Sequence, residues 1–250
     1  MSNTIIQLKN ISKVFQTNEM ETYALAGIDL SIDKGDYVSI SGPSGCGKST
    51  LLSILGLLDM PTSGNYLLEE REVAKLSLNE AAEVRNSKIG FVFQSFNLID
   101  ELSVFENIAL PLQYSKKGYS DKEIKERVNY CLEKVQMTHR INHKPNQLSG
   151  GQQQRISIAR SLVANPTILL VDEPTGNLDS KNGDAVMDML SDLNSQGTTI
   201  CMVTHDPRYA NQAIRQLHLL DGEILERDEN TRVPPNVETN TQALTDVRAV

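Results

Sequence analysis

Nine consecutive residues constrain this chain more than any others: Gly42-Pro43-Ser44-Gly45-Cys46-Gly47-Lys48-Ser49-Thr50. They fit the spacing G-x-x-x-x-G-K-[ST]. Before them Tyr37-Val38-Ser39-Ile40 reads as a buried strand, and after them Leu51-Leu52-Ser53-Ile54-Leu55 reads as the start of a helix. Glycines let the backbone turn tightly enough for successive N–H groups to face one point. The helix N-terminus adds partial positive charge there and Lys48 a full one, while the Ser49 hydroxyl is of a type that ligates Mg²⁺. A glycine-rich turn without a ligand also satisfies the spacing, but the flanking strand and helix argue for a nucleotide phosphate site.

Composition narrows the setting. The chain has 250 residues, enough for a substantial core, and 39% of them are hydrophobic. No apolar run is long enough for a membrane span, and Met1-Ser2-Asn3-Thr4 does not open a secretory leader. The three cysteines, Cys46, Cys131 and Cys201, are far apart and suggest neither a disulfide framework nor a zinc site, so a reducing cytosol is expected. A net charge of −8 argues against a general nucleic-acid binder. Any membrane role must then come through a partner.

Along the chain, Ile5 to Leu8, Ile28 to Ile32 and Tyr37 to Ser41 read as strands, with Lys34-Gly35-Asp36 as a turn. The linker between the first two holds Phe15 and Tyr23, either of which can stack on an adenine ring. The helix from Leu51 to Leu58 is apolar on most sides and is expected against the sheet. A strand Tyr66 to Leu68 and a polar helix Leu78 to Arg85 follow. Ile89 to Phe93 reads as another buried strand with Gln94 at its carboxyl end, where α/β sheets place ligands. From Leu98 to Pro145 the pattern is helical. Ile124, Val128, Cys131, Leu132 and Val135 share one face of a helix that Ser120 caps, with Glu123 three residues on. His139 and His143 lie four apart without a third ligand nearby and read as surface residues.

Leu148-Ser149-Gly150-Gly151-Gln152 opens a further helix, with Ser149 as N-cap and glycines that leave backbone N–H groups open to an anion. Ile168 to Val171 is a continuous apolar run, as in a parallel strand covered on both faces, and Asp172-Glu173 stands at its end. Adjacent carboxylates there are a poor structural choice without a cation. A helix from Asp184 to Leu193 leads to a strand, Thr198 to Val203, that ends at Thr204-His205-Asp206. Two short strands close the sheet around Asp221-Gly222, and residues 228–250 read as a disordered tail.

Taken together, these segments resemble the ATP-binding cassette (ABC) ATPases over residues 4–227. The resemblance implies an α/β P-loop fold: a mainly parallel central sheet, an antiparallel β-subdomain, and a helical subdomain inserted at about 98–147. Gly42 to Thr50 is similar to the Walker A loop, Gln94 to the Q-loop glutamine and Leu148 to Gln152 to the signature motif. Ile168 to Asp172 is similar to Walker B, Glu173 to the catalytic glutamate, Asn177-Leu178-Asp179 to the D-loop and His205 to the switch histidine. Phe15 falls where the family places its adenine-stacking aromatic, with Tyr23 the competing choice. The wording from Asp172 to Asp179 looks most like the lipoprotein-release and macrolide-efflux branch.

The family pattern implies ATP and Mg²⁺ as cofactors. Ser49, Gln94 and Asp172 would stand at the metal, and Glu173, His205, Lys48 and Gln94 in catalysis. Two copies are implied to dimerise head to tail, so that Ser149, Gly150, Gly151, Gln152 and Asp179 of one face the nucleotide of the other. A membrane permease is expected to dock near residues 94–105, holding the chain at the inner face of the cell membrane. Cys46, beside Lys48 and a helix N-terminus, is expected to be a reactive thiolate. A soluble cassette ATPase acting on nucleic acid or ribosomes is the alternative, although such chains usually carry tandem cassettes. A P-loop kinase would not need Leu148 to Gln152.

Overall fold

The computed structural model describes residues 3–16 and 21–226, so the expected tail at 228–250 lies outside the described residues. Two long strands, β1 (Thr4–Gln16) and β2 (Glu21–Asp33), pair antiparallel and are followed by β3 (Tyr37–Ser41) and α1 (Lys48–Leu55). Next come β4 (Ser63–Leu68), β5 (Arg71–Glu72), α2 (Leu78–Lys88) and β6 (Ile89–Val92). The helices α3 (Val104–Gln113), α4 (Asp121–Lys134) and α5 (Gly150–Leu162) precede β7 (Ile168–Asp172) and α6 (Ser180–Ser195). The chain continues through β8 (Thr199–Val203), α7 (Pro207–Ala210), β9 (Arg215–Leu220) and β10 (Glu223–Glu226).

These strands form two sheets. One is antiparallel, in the order β2-β1-β4-β5; the other runs β10-β9-β3-β8-β7-β6, parallel except for β10. Alternation along the parallel strands divides the apolar residues between two cores. Ile168 and Leu170 of β7, Val38 and Ile40 of β3, and Cys201 and Val203 of β8 face α1 and the antiparallel sheet. Leu169, Val171, Tyr37, Ile200 and Met202 face the other way, onto α3, α4, α5 and α6. Each aliphatic side chain buried in this way contributes about 1.5–3 kcal/mol before the entropy of ordering is subtracted. A sheet covered on both faces needs unbroken apolar strands, which explains why β7 has no polar alternation. Its carboxyl edge is left as the place where loops meet.

Three helices start on the same device. In α2, α3 and α4 the hydroxyls of Ser77, Ser103 and Ser120 accept the N–H of Glu80, Glu106 and Glu123, whose carboxylates reach back to the serine N–H. The helical insert consists of α3, α4 and two 3-10 turns, Thr138–Arg140 and Pro145–Gln147. The loop entering it is organised by Asn107, fully buried, whose amide donates to the carbonyls of Ile99, Leu102 and Ser103 and whose oxygen accepts the Ile99 N–H. At the far edge Asp221 (φ 48°) and Gly222 (φ 82°) make the left-handed pair that a tight hairpin needs.

One expectation about local structure needs correction. Phe15 and Tyr23 stand not in a linker but in β1 and β2, where Phe15 pairs with Thr22 and Tyr23 with Val14. Exposed residues dominate this end of the hairpin, so the ladder holds it and the apolar alternation that marks a half-buried strand is missing.

Candidate nucleotide site

The loop after β3 is shaped by close packing against its neighbours. Gly47 (φ 105°) leaves no room for a side chain, because a Cβ there would run into the Ala24 carbonyl oxygen; one at Gly42 would run into that of Leu219. Glycine is therefore dictated at both positions. The Lys48 ammonium lies over the loop, donating to the carbonyls of Gly42 (2.9 Å) and Pro43 (2.7 Å). Pro43, Ser44, Gly45 and Ser49 are exposed around it, with Thr50 half-buried. Cys46 corrects an expectation: its side chain points into the core and is only 5% exposed, so it is not open to reagents. The turn that directs backbone outward at 43–45 directs this side chain into the core.

Asp172 and Glu173 end β7 beside this loop. Burial, and then the neighbouring charge of Glu173, raise the Asp172 carboxyl above the usual carboxylate range, while the Lys48 ammonium acts in the opposite direction. A half-buried Asp172 whose ionised form the fold disfavours is suited to a divalent cation.

Glu173 adopts a left-handed backbone (φ 45°), with its N–H on the Val203 carbonyl at 2.9 Å. A non-glycine residue in that region costs on the order of 1–3 kcal/mol and is held by its surroundings. Here the conformation sets the Glu173 carboxylate against His205, Oε1 to Nδ1 at 2.8 Å, with His205 itself largely exposed. The ends of β7 and β8 thus deliver an acid and an imidazole to one spot.

Gln94 packs on the loop after β7: its amide lies 3.4 Å from Asn177 Oδ1, and Asn177 Nδ2 donates to its carbonyl at 3.0 Å. Asp179 caps α6, accepting the N–H and side-chain amide of Asn182. Ser149 caps α5, with Gln152 completing the box. Gly150 and Gly151 abut Leu178, Phe96 and Asn182, whereas the glycines of the first loop abut Ala24 and Leu219. Within one chain the two anion-shaped helix N-termini therefore have separate surroundings. His139 and His143 do not contact this site; His143 pairs with Arg140 at 2.9 Å.

Residues that pattern reading passed over bind these parts together. Gln154 is fully buried on α5 and donates to the carbonyls of Pro174 (3.0 Å) and Phe93 (3.4 Å), joining the ends of β7 and β6. Arg160, on the same helix, donates to the carbonyls of Phe96 and Asn97, both in left-handed backbone. Of the apolar stretch 96–105, Ile99 is exposed, while Leu98 and Phe105 pack inward. The adjacent groove, about 980 Å³, is built instead from α2, β6, the end of α3 and α5.

A parallel sheet whose carboxyl edge carries a glycine-rich phosphate loop, a strand-end acid and a capped second helix defines an α/β P-loop nucleotide hydrolase. The family model of the ABC transporter matches residues 25–176. An uncharacterized ABC transporter ATP-binding protein of Methanocaldococcus jannaschii is 48% identical, over 91% of this chain and 98% of the relative. The macrolide export ATP-binding/permease protein MacB of Bdellovibrio bacteriovorus is also 48% identical, but this chain spans only 36% of its length. Among solved structures, a dimeric post-hydrolysis state of the archaeal cassette, bound to ADP and Pi, superposes with a TM-score of 0.80 at 46% identity, over 88% of this chain and 96% of that one. The chain belongs to the ABC transporter family, as an ATP-binding, Mg²⁺-dependent ATPase cassette.

Proposed function

We propose that this cassette powers a transport or mechanotransmission complex, with two copies closing head to tail around two ATP. The observation that carries this reading is the separation of Ser149–Gln152 from the Gly42–Thr50 loop within one chain. Each is shaped for an anion, and a second copy lets them meet across one nucleotide. Asp179 and Asn177 then lie at the seam. Gln152 supports the assignment. The boxes of α2, α3 and α4 use glutamate, whereas that of α5 uses a neutral amide, leaving its N-terminus free of negative charge.

In the closed pair the Gly42–Thr50 backbone and Lys48 bind and orient the phosphates. Ser49 and Asp172 would hold Mg²⁺, with Gln94 near it, and the ion would supply neutralisation of the phosphate charge. Glu173 orients the attacking water and accepts its proton, while His205 steadies Glu173 through Nδ1 and presents Nε2 to the γ-phosphate. Glu173→Gln keeps the shape and removes the base. Turnover is expected to drop at least about a hundredfold, with a dimer seen by light scattering only when ATP is present. A monomer at saturating ATP, with nucleotide bound, rejects the head-to-tail reading.

The permease is assigned to the groove lined by Phe91, Phe93, Leu110, Pro111, Tyr114 and Arg160. It is apolar with a cationic wall and lies next to Gln94, as a receptor for an amphipathic helix requires. No described helix is long and apolar enough to cross a membrane, so we place the chain at the inner face through that partner. The name of the MacB relative suits an export complex of the macrolide-efflux branch, in which cargo selection belongs to the permease.

A further inference from the structure

We infer that Lys13 is a positioning residue for the nucleotide, fixing the Phe15 ring as the surface on which the purine stacks. This rests on Phe15 being the stacking aromatic. Lys13 Nζ lies 5.1 Å from the centroid of the Phe15 ring, and its side chain is only 13% exposed. Two further bonds aim the ammonium there: 2.7 Å to Asp59 Oδ1 and 2.8 Å to the Met60 carbonyl. Asp59 is itself held by the Met60 N–H at 2.8 Å.

The anchorage extends to both neighbours of Lys13. The Val14 N–H donates to Thr62 Oγ1 at 3.0 Å, and the Thr62 N–H donates to the Ser12 carbonyl at 2.8 Å. Three successive residues of β1 are thus fastened to the segment that follows α1, the helix whose N-terminus is the phosphate loop. Base platform and phosphate loop are thereby held in register. The Phe15 ring remains 46% exposed while the ammonium covers part of it. A cation against one face of a ring draws π density toward itself, and the opposite face then accepts an electron-rich purine more readily. Among the described residues Tyr23, 63% exposed, reaches only Glu21, through its hydroxyl at 3.5 Å. The anchored ring is the better platform.

Calorimetric titration with ADP, and displacement of ADP by inorganic pyrophosphate, test this on the whole chain, because pyrophosphate engages the phosphate loop without a base. Lys13→Met is expected to weaken ADP binding about three- to tenfold and to leave the pyrophosphate constant unchanged. Turnover at saturating ATP should stay within about twofold, and Lys13→Arg should restore most of the affinity. Phe15→Ala should weaken ADP at least as much, and adding Lys13→Met to it should cost nothing further. If Lys13→Met weakens ADP and pyrophosphate alike, the lysine supports the loop as a whole and the inference fails. If Phe15→Ala weakens ADP but Lys13→Met does not, only the role of Lys13 is overturned. If Phe15→Ala leaves ADP binding intact, the stacking assignment falls and takes the inference with it.

Discussion

Asp172 and Glu173 are adjacent in sequence and held in opposite ways. Glu173 has a partner in His205 and a strained backbone that keeps it there. Asp172 is half-buried with its carboxyl pushed up by burial and by its neighbour. A raised carboxylate pKa means that the fold disfavours the ionised form. The cost is absent below the ordinary value of about 3.9 and grows as the pH rises through the raised one. Asp172→Asn removes it. Without nucleotide or metal, the variant is expected to melt higher than wild type at pH 7, with the difference shrinking below about pH 4. With MgATP the order reverses, because only the wild type gains a metal. A variant that melts lower at pH 7 in the absence of ligand would show that the Lys48 ammonium outweighs burial. These residues were legible from sequence because each lies within the same short motif. Gln154 and Arg160 were not, since a lone polar side chain gives no sign of which distant carbonyl it will meet.

Among the elements, the helix starts carried the plainest signals. Ser120 with Glu123, and Ser149 as an N-cap, were readable because capping depends on residues within one turn. The exposed end of the β1–β2 hairpin was unreadable for the opposite reason, since its ladder leaves no apolar alternation in the sequence. The neutral box of α5 yields a prediction of its own. Gln152→Glu preserves the reciprocal hydrogen bonds, so helicity and melting temperature should change little. It also brings a full negative charge to the N–H groups assigned to the phosphate of a second copy. ATP-driven dimerisation of a Glu173→Gln background should weaken at least about tenfold, at a cost of about 1.4 kcal/mol or more. Measured by light scattering across an ATP titration, unchanged dimerisation would remove α5 from the nucleotide interface.

At the scale of the whole molecule, the fold class followed from one phosphate loop and the order of the remaining motifs. The groove did not, because its walls come from residues as far apart as Leu58 and Ala164. The apolar stretch 96–105, expected as the docking segment, mostly packs inward. Tyr114, 79% exposed at the groove, is the better probe. Tyr114→Asp should release the chain from membranes carrying the permease, with basal ATPase within about twofold of wild type, since surface changes away from buried networks shift stability by no more than about 0.5 kcal/mol. Retention on the membrane at wild-type levels would move the docking surface elsewhere. The separate surroundings of Ser149 and Lys48 also fix a kinetic order. In the head-to-tail pair proposed above a lone copy holds two half-sites, so in dilute solution the initial rate of hydrolysis should rise with the square of protein concentration. Two copies tethered to one permease meet at an effective concentration on the order of millimolar, and the order falls to one. On the proposed arrangement, hydrolysis by free subunits depends on chance encounter, and tethering by the permease replaces that encounter with proximity.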